Sequence, residues 1–329
     1  MRIVKNKRSG LSFLEMIIVI AVIGVLVSLL LPGIQAIRSS VARIECQNHL
    51  KQIALATLQF EQANGTLPQG IIGNLDLIYP LIYSTPSRSA LGVPIHGNQE
   101  KRDPLSGLLW LVHLLPYIEQ EGVWNRVISD CQEMPLRYLG QPHRGLKTLI
   151  RTYTCPADGR LGTIHRVTSP HLEGTLVAST SYLGVSGTGP LLYSDGVLFA
   201  FSRIRIADIL DGTSSTLLIG ERPPSPDFAY GWWYVFSNEN QGAGVLAIPN
   251  NTSRISIWEP GYYCPAGTYP FRAGKLTEIC DSLHYWSLHS GGANFAFCDG
   301  SVRFLPYTVS DKLSALATRA GGEIAGQLD

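Results

Sequence analysis

LSFLEMIIVIAVIGVLVSLLL, residues 11–31, holds a single charge, Glu15, in an otherwise apolar run. Wound as a helix, a run of this length rises about 30 Å, the hydrocarbon thickness of a bilayer. The ten residues before it carry four charges, all basic (Arg2, Lys5, Lys7 and Arg8). That asymmetry keeps the leader cytoplasmic and sends the following chain outward. A buried core helix rarely runs so long without polar residues. A cleaved secretory signal has an apolar core of about 7–15 residues and small residues at its cut site, whereas Ile34 stands where the site near Ala36 needs a small one. A plain signal anchor leaves Glu15 unexplained. A carboxylate inside a membrane span costs about 2.5–3.5 kcal/mol on insertion scales and normally has a partner or a function.

Downstream, Pro32-Gly33 is expected to bend or loosen the helix. Apolar residues then return at helical steps (Ile34, Ile37, Val41, Ile44, Leu50, Ile53, Ala54, Leu58), with Arg38, Arg43, Glu45, Lys51 and Glu61 between them. This pattern predicts an amphipathic half able to lie along a globular domain. Asn64-Gly65 is a stop signal, so one helix is expected over 11–65, with its membrane half at 11–31.

The remainder, 66–329, reads as the exported globular domain of an α+β protein. With 33 Gly and 20 Pro in the chain, turns are frequent, which suits a loop-rich sheet better than a helical bundle. LLWLVHLL (108–115) is too short to span a membrane and reads as a core helix, with Trp110 and Trp124 in or beside the core. Strands are predicted at 179–185, 196–201, 214–220, 230–236 and 294–304. Asp-Gly occurs at 158–159, 195–196, 211–212 and 299–300, a pair that favours two-residue hairpin loops because both positions need positive φ. Phe295 and Phe297 alternate before the last pair, and Val302 and Phe304 after it, which predicts a hairpin there.

The N-terminus resembles that of type IV prepilins: a basic leader ending at Gly10, an apolar Leu11 at the new start, and Glu15 five residues into the mature chain. The resemblance implies that a prepilin peptidase cuts between Gly10 and Leu11 and that the Leu11 amine is methylated. It also implies that Glu15 pairs with the amine of a neighbouring pilin or pseudopilin subunit. His289 and Asp299-Gly300, within LHSGGANFAFCDGSVRF, stand in the H-x9-DG arrangement of a prepilin-associated domain of unknown function. NHLKQIALATLQFEQANGTLP, LLPYIEQ, YTCPADG, DGTSSTLLIGE and ALATRAGGE resemble that domain too. The implied architecture is pilin-like: a single-pass inner-membrane protein with an extracytoplasmic domain. Its partners would be the lipid bilayer, inner-membrane assembly machinery and other subunits of a pilus or type II secretion-like filament.

No catalytic motif stands out, so no enzyme, cofactor or metal is expected. Removing the four leader cations from the 26 basic residues leaves a slight excess of the 25 acidic ones, which gives no pull toward nucleic acid. His289 could be a metal ligand, or a base paired with Asp299 in a surface enzyme, although His284, five residues away, gives no defined metal-binding interval. The structural alternative, favoured here, has the His289 ring tying the 290–292 loop to a backbone carbonyl. The run Trp232-Trp233-Tyr234 could meet a sugar in a tethered binding module, but alternation puts at least one ring in the core. Asp208 and Asp211 lack the dense acidic spacing of a calcium loop. Of the six cysteines none is in C-x-x-C spacing, so disulfides are expected outside the cytoplasm. The local pair is Cys264 with Cys280; buried thiols are the rival reading for Cys46 and Cys298.

Overall fold

The computed structural model describes residues 13–73, 105, 107–133, 143–168, 174–189, 194–235, 244–252, 255–256 and 263–323. The leader, Gly10 and Leu11 lie outside the described residues. The chain divides into two compact units, Met1–Ile44 and Glu45–Asp329.

Helix α1 spans Phe13–Asn64 and passes through Pro32 and Gly33 without interruption. Its first part exposes the large apolar side chains described between Phe13 and Leu31. It is long and apolar enough to cross a membrane. Glu15 lies in this helical backbone. The amphipathic half begins later than the periodicity predicts, because Ile34, Ile37, Val41 and Ile44 are exposed. Burial starts at Cys46 and continues through Leu50, Ile53, Ala54, Ala56 and Thr57. Gly65, at φ +77°, ends the helix and donates its N–H to the Glu61 carbonyl at 2.7 Å, the glycine stop expected at 64–65.

In the second unit a five-stranded sheet is built from β1 (Tyr182–Gly187), β2 (Leu217–Glu221), β3 (Val245–Ala247), β4 (Gly292–Phe297) and β5 (Val302–Pro306). Its order is β5-β4-β2-β1-β3, antiparallel except for the β1–β3 pair. The protein is therefore α+β with an antiparallel-rich sheet. Tyr182, Leu218, Ile219 and Ala296 share one apolar cluster with Cys46, Leu50 and Ile53 of α1. Leu183, Val185, Phe295, Phe297 and Leu305 share another with Leu313 and Leu316 of a short helix, Leu313–Ala317. The sheet is thus covered on both faces, which explains why β1, β2 and β4 are buried along their whole length and show no clean polar alternation.

Two predicted strands are absent. Residues 196–201 run irregularly beside β1, with Gly196 N–H and Leu198 N–H bound to the carbonyls of Ser186 and Val185. Residues 230–235 make only isolated bridges, Ser179 to Trp232 and Leu108 to Val235. Trp232, Trp233 and Tyr234 are all buried, so no ring of the run faces a ligand. The indoles donate to the carbonyls of Phe228 (2.7 Å) and Thr148 (2.9 Å), and the Tyr234 hydroxyl meets His143 Nδ1 at 2.9 Å. The 108–115 segment forms a short helix at Trp110–His113, followed by a 3-10 turn at Leu115–Ile118 that contains Pro116. Trp110 is buried and Trp124 packs partly against the core. Helix α2, Glu121–Glu133, has no counterpart in the expectations, although Val123, Val127 and Cys131 repeat at four-residue steps on its buried side.

Only one of the four Asp-Gly pairs joins two paired strands. Asp158 binds Arg160, Asp195 binds Thr188, and Asp211 accepts N–H bonds from Gly321 and Gly322. Each carboxylate thus orders a loop instead of closing a hairpin. At 299–300 the hairpin forms, but with a three-residue loop. Gly300 N–H meets Phe297 O and Phe297 N–H meets Ser301 O, both at 2.9 Å. Only Gly300 takes positive φ, +77°, which is the arrangement of a type I turn followed by a left-handed bulge residue. The departure from the two-residue loop has a cause in the neighbouring chain. Cys298 and Asp299 spend their N–H groups on Thr216 and Thr213 carbonyls, so the loop docks on the segment leading into β2.

Candidate functional site

The register of the sheet brings distant polar residues to one end of it. Phe295 stands opposite Gly220 and Tyr182 opposite Glu221, so Asn294, Glu221 and Tyr182 come level on β4, β2 and β1. Asn294 N–H and Nδ2 donate to the two Glu221 oxygens at 2.7 and 3.0 Å, and Gln47 Nε2 of α1 donates to Asn294 Oδ1 at 2.9 Å. Next to Tyr182, the Ser181 hydroxyl accepts the Cys155 N–H at 2.9 Å, and the Tyr182 hydroxyl donates to the Cys46 carbonyl at 3.2 Å. Cys46 and Cys155 form a disulfide with a Cα–Cα distance of 5.0 Å. His289, three residues before β4, places Nε2 3.4 Å from Glu221 Oε1 and 3.6 Å from Cys155 Sγ.

Cys46, Cys155, Glu221, His289 and Asn294 are all buried. A carboxylate there would be costly alone. Here Glu221 has two Asn294 donors and an imidazole beside it. Burial, and to a lesser degree the Glu221 carboxylate, push the Tyr182 hydroxyl well above the usual phenol range. Both the sulfur and the carboxylate approach the same ring nitrogen. A proton relay of the Cys-His-carboxylate kind needs them on opposite nitrogens, so the arrangement does not read as a catalytic triad.

The predicted site residues fall in different places. Among the described residues, the His289 ring meets Glu221 and Cys155, and no bond from it to a backbone carbonyl is found. Ser287 ties the loop instead, its hydroxyl donating to the Gly292 carbonyl at 2.7 Å and accepting the His289 N–H at 3.0 Å. Asp299 lies beyond the other end of β4, which spans about 20 Å, and its carboxylate accepts the Ser301 N–H at 2.8 Å. The pair imagined for an enzyme is therefore not assembled. Gly300 sits under α1, its carbonyl accepting Lys51 Nζ at 2.6 Å. Cys264 and Cys280 are joined, as their spacing suggested. Cys46 is a disulfide partner instead of a buried thiol, whereas Cys298 is buried and its thiol is pushed far above the ordinary range by that burial. Asp208 is held down to about 2 by hydrogen bonds from the Arg205 side chain and backbone, and Asp211 is occupied by Gly321 and Gly322.

Sequence reasoning missed Cys155 and Glu221 as partners of His289, and Asn294 and Gln47 as the groups that hold Glu221 from behind. One signal was available. Glu221 ends the apolar run TLLIG, and a charge at the end of a strand buried on both faces needs a partner. Nothing in a separation of 109 residues points from Cys46 to Cys155.

Comparison with known proteins gives one match. No curated protein and no solved structure matches the chain. A family model described as "Protein of unknown function (DUF1559)" matches residues 35–312. That span contains every residue of the cluster and the whole five-stranded sheet, and it begins after the apolar run of α1. The chain belongs to the DUF1559 family.

Proposed function

We propose that the chain is a pilin-like structural subunit, cut between Gly10 and Leu11 by a prepilin peptidase and methylated on the new amine. It is then assembled into a type IV pilus or a type II secretion-like filament. The observation that carries this reading is the division of labour along α1. Its first part exposes apolar side chains through Ile44, and its last part is built into the domain from Cys46 onward. An exposed apolar helix needs a bilayer before assembly and other helices afterwards. In this reading Glu15 pairs with the Leu11 amine of a neighbouring subunit and fixes the axial step. The protein crosses the inner membrane once, its domain is extracytoplasmic, and its role is assembly with no reaction of its own.

The tethered carbohydrate-binding alternative loses its aromatic platform, because the 232–234 rings are buried. Mass spectrometry of the mature N-terminus tests the proposal: a methylated Leu11 is expected, and an intact Met1 or a start beyond Ala36 would sink it.

A further inference from the structure

Four groups converge on one point beneath α1: the Cys46 and Cys155 sulfurs, the His289 nitrogen and a Glu221 oxygen, all within 4.8 Å of one another and all buried. They come from four separate segments, α1, the loop after the 3-10 turn Arg151–Tyr153, the end of β2 and the loop before β4. While the two sulfurs are bonded to each other they are no thiolate donors, and the cluster is a clasp. We propose that reduction of this disulfide converts the cluster into a binding site for a divalent zinc-class cation, ligated by Cys46, Cys155, His289 and Glu221.

The geometry is close to what such an ion needs. Zinc in a tetrahedral site lies about 2.3 Å from sulfur and about 2.0–2.2 Å from nitrogen or oxygen, which sets its ligand atoms roughly 3.3–3.8 Å apart. Nε2 already stands 3.6 Å from Cys155 Sγ and 3.4 Å from Glu221 Oε1. The two sulfurs part when their bond breaks, and the remaining pairs, all within 4.8 Å, need to close by about 1 Å at most. Two thiolates, one imidazole and one carboxylate suit zinc over the hard, oxygen-seeking cations. The supporting contacts are in place as well. Asn294 orients the carboxylate, and Ser181 holds the Cys155 backbone. The convergence of sulfur and carboxylate on one ring nitrogen, awkward for proton transfer, is natural for ligands around a shared ion.

The chemistry balances. A protein or small-molecule dithiol supplies two electrons and two protons. It leaves as its own disulfide and yields the Cys46 and Cys155 thiols. Binding one divalent cation releases those two protons and forms two metal–sulfur bonds. The two thiolates gained on reduction and metal uptake carry the charge that the divalent cation cancels. The exchange therefore leaves no additional buried charge to be desolvated.

The test uses the full chain in detergent micelles, either oxidised or reduced with a phosphine and desalted without air, then titrated with Co(II). The reduced chain is expected to bind one equivalent with a thiolate-to-cobalt charge-transfer band that Zn(II) abolishes, and the oxidised chain none. Cys46→Ser and His289→Ala should lose the band. Glu221→Gln, which retains the shape and a hydrogen-bonding oxygen, should weaken Co(II) binding by at least about tenfold. Cys264→Ser/Cys280→Ser should still bind one equivalent, which separates this cluster from the other disulfide. A reduced chain that takes up no Co(II), whether folded or not, overturns the proposal. So does a thiolate band that survives in Cys46→Ser/Cys155→Ser.

Discussion

At Gly300 a glycine is required twice. Its φ of +77° resists a β-branched residue, and a Cβ there would stand 3.2 Å from Leu58 Cδ1 of α1. Gly300→Val should therefore cost about 1–3 kcal/mol in backbone strain alone, read as a lower midpoint in urea, and a midpoint equal to wild type would contradict the assignment. Arg222 makes the opposite case. Its guanidinium is fully buried, Nε and one terminal nitrogen have no hydrogen-bond partner among the described residues, and burial draws its pKa down to about 10. A buried charge whose donors lack partners is costly to desolvate, and an apolar side chain of similar length removes that cost. Arg222→Met is thus expected to melt no lower than wild type. A clear loss of stability would mean that the guanidinium has an ionic partner in the folded chain. Legibility at this scale was uneven. His289, Asp299 and Gly300 could be picked out because turn chemistry and a motif mark them locally. Their partners could not, since Glu221 and Cys155 meet His289 only through strand register and long-range packing.

Among the elements, α1 was the most readable, because a long apolar run and a glycine stop are local signals. The point where it becomes buried was not readable, since Ile37, Val41 and Ile44 have the same period as Leu50 and Ile53. What fixes α1 in the domain is a set of specific anchors: Gln47 to Asn294, His49 Nδ1 to the Thr154 carbonyl at 2.8 Å, Lys51 to Gly300, and the Cys46–Cys155 bond. The two disulfides differ in reach, with separations of 109 and 16 residues. Closing the longer loop removes more freedom from the unfolded chain, by about 1–2 kcal/mol in the chain-entropy picture. Cys46→Ser/Cys155→Ser should therefore lower the unfolding free energy more than Cys264→Ser/Cys280→Ser. The reverse order in parallel urea titrations would show that the long clasp is not what secures α1. The strands at 196–201 and 230–236 were misread for a shared reason: their apolar content serves burial, and their backbone bonds go to single neighbours instead of a ladder.

For the molecule as a whole, acid is the informative stress. Burial alone would raise Asp195, but the Thr188 hydroxyl and N–H outweigh it and leave that carboxyl below its ordinary 3.8. Asp281 behaves alike, with burial opposed by hydrogen bonds from His284 and the Lys275 N–H. A carboxyl whose pKa is lower in the folded chain stabilises it fully above the unfolded value and loses that contribution as pH falls through the folded one. Stability should hold at about pH 5 and decline from about pH 4 downward, with Asp195→Asn flattening part of the slope. An unfolding free energy constant across that window would refute the assignment.

The Cys46–Cys155 bond also has a mechanical meaning. Tension applied along α1 enters the domain at Cys46 and crosses directly to Cys155, so the residues between them bear no load however hard the ends are pulled. Stretched between its termini in optical tweezers, the oxidised chain should unravel to a contour length shorter than the reduced one by roughly 410–450 Å at about 3.3–3.6 Å per residue, most of it from the 109-residue bypass and the rest from the 16-residue loop of the second disulfide. Pulled by its helix, the chain would then transmit force through a covalent shortcut and leave residues 47–154 slack.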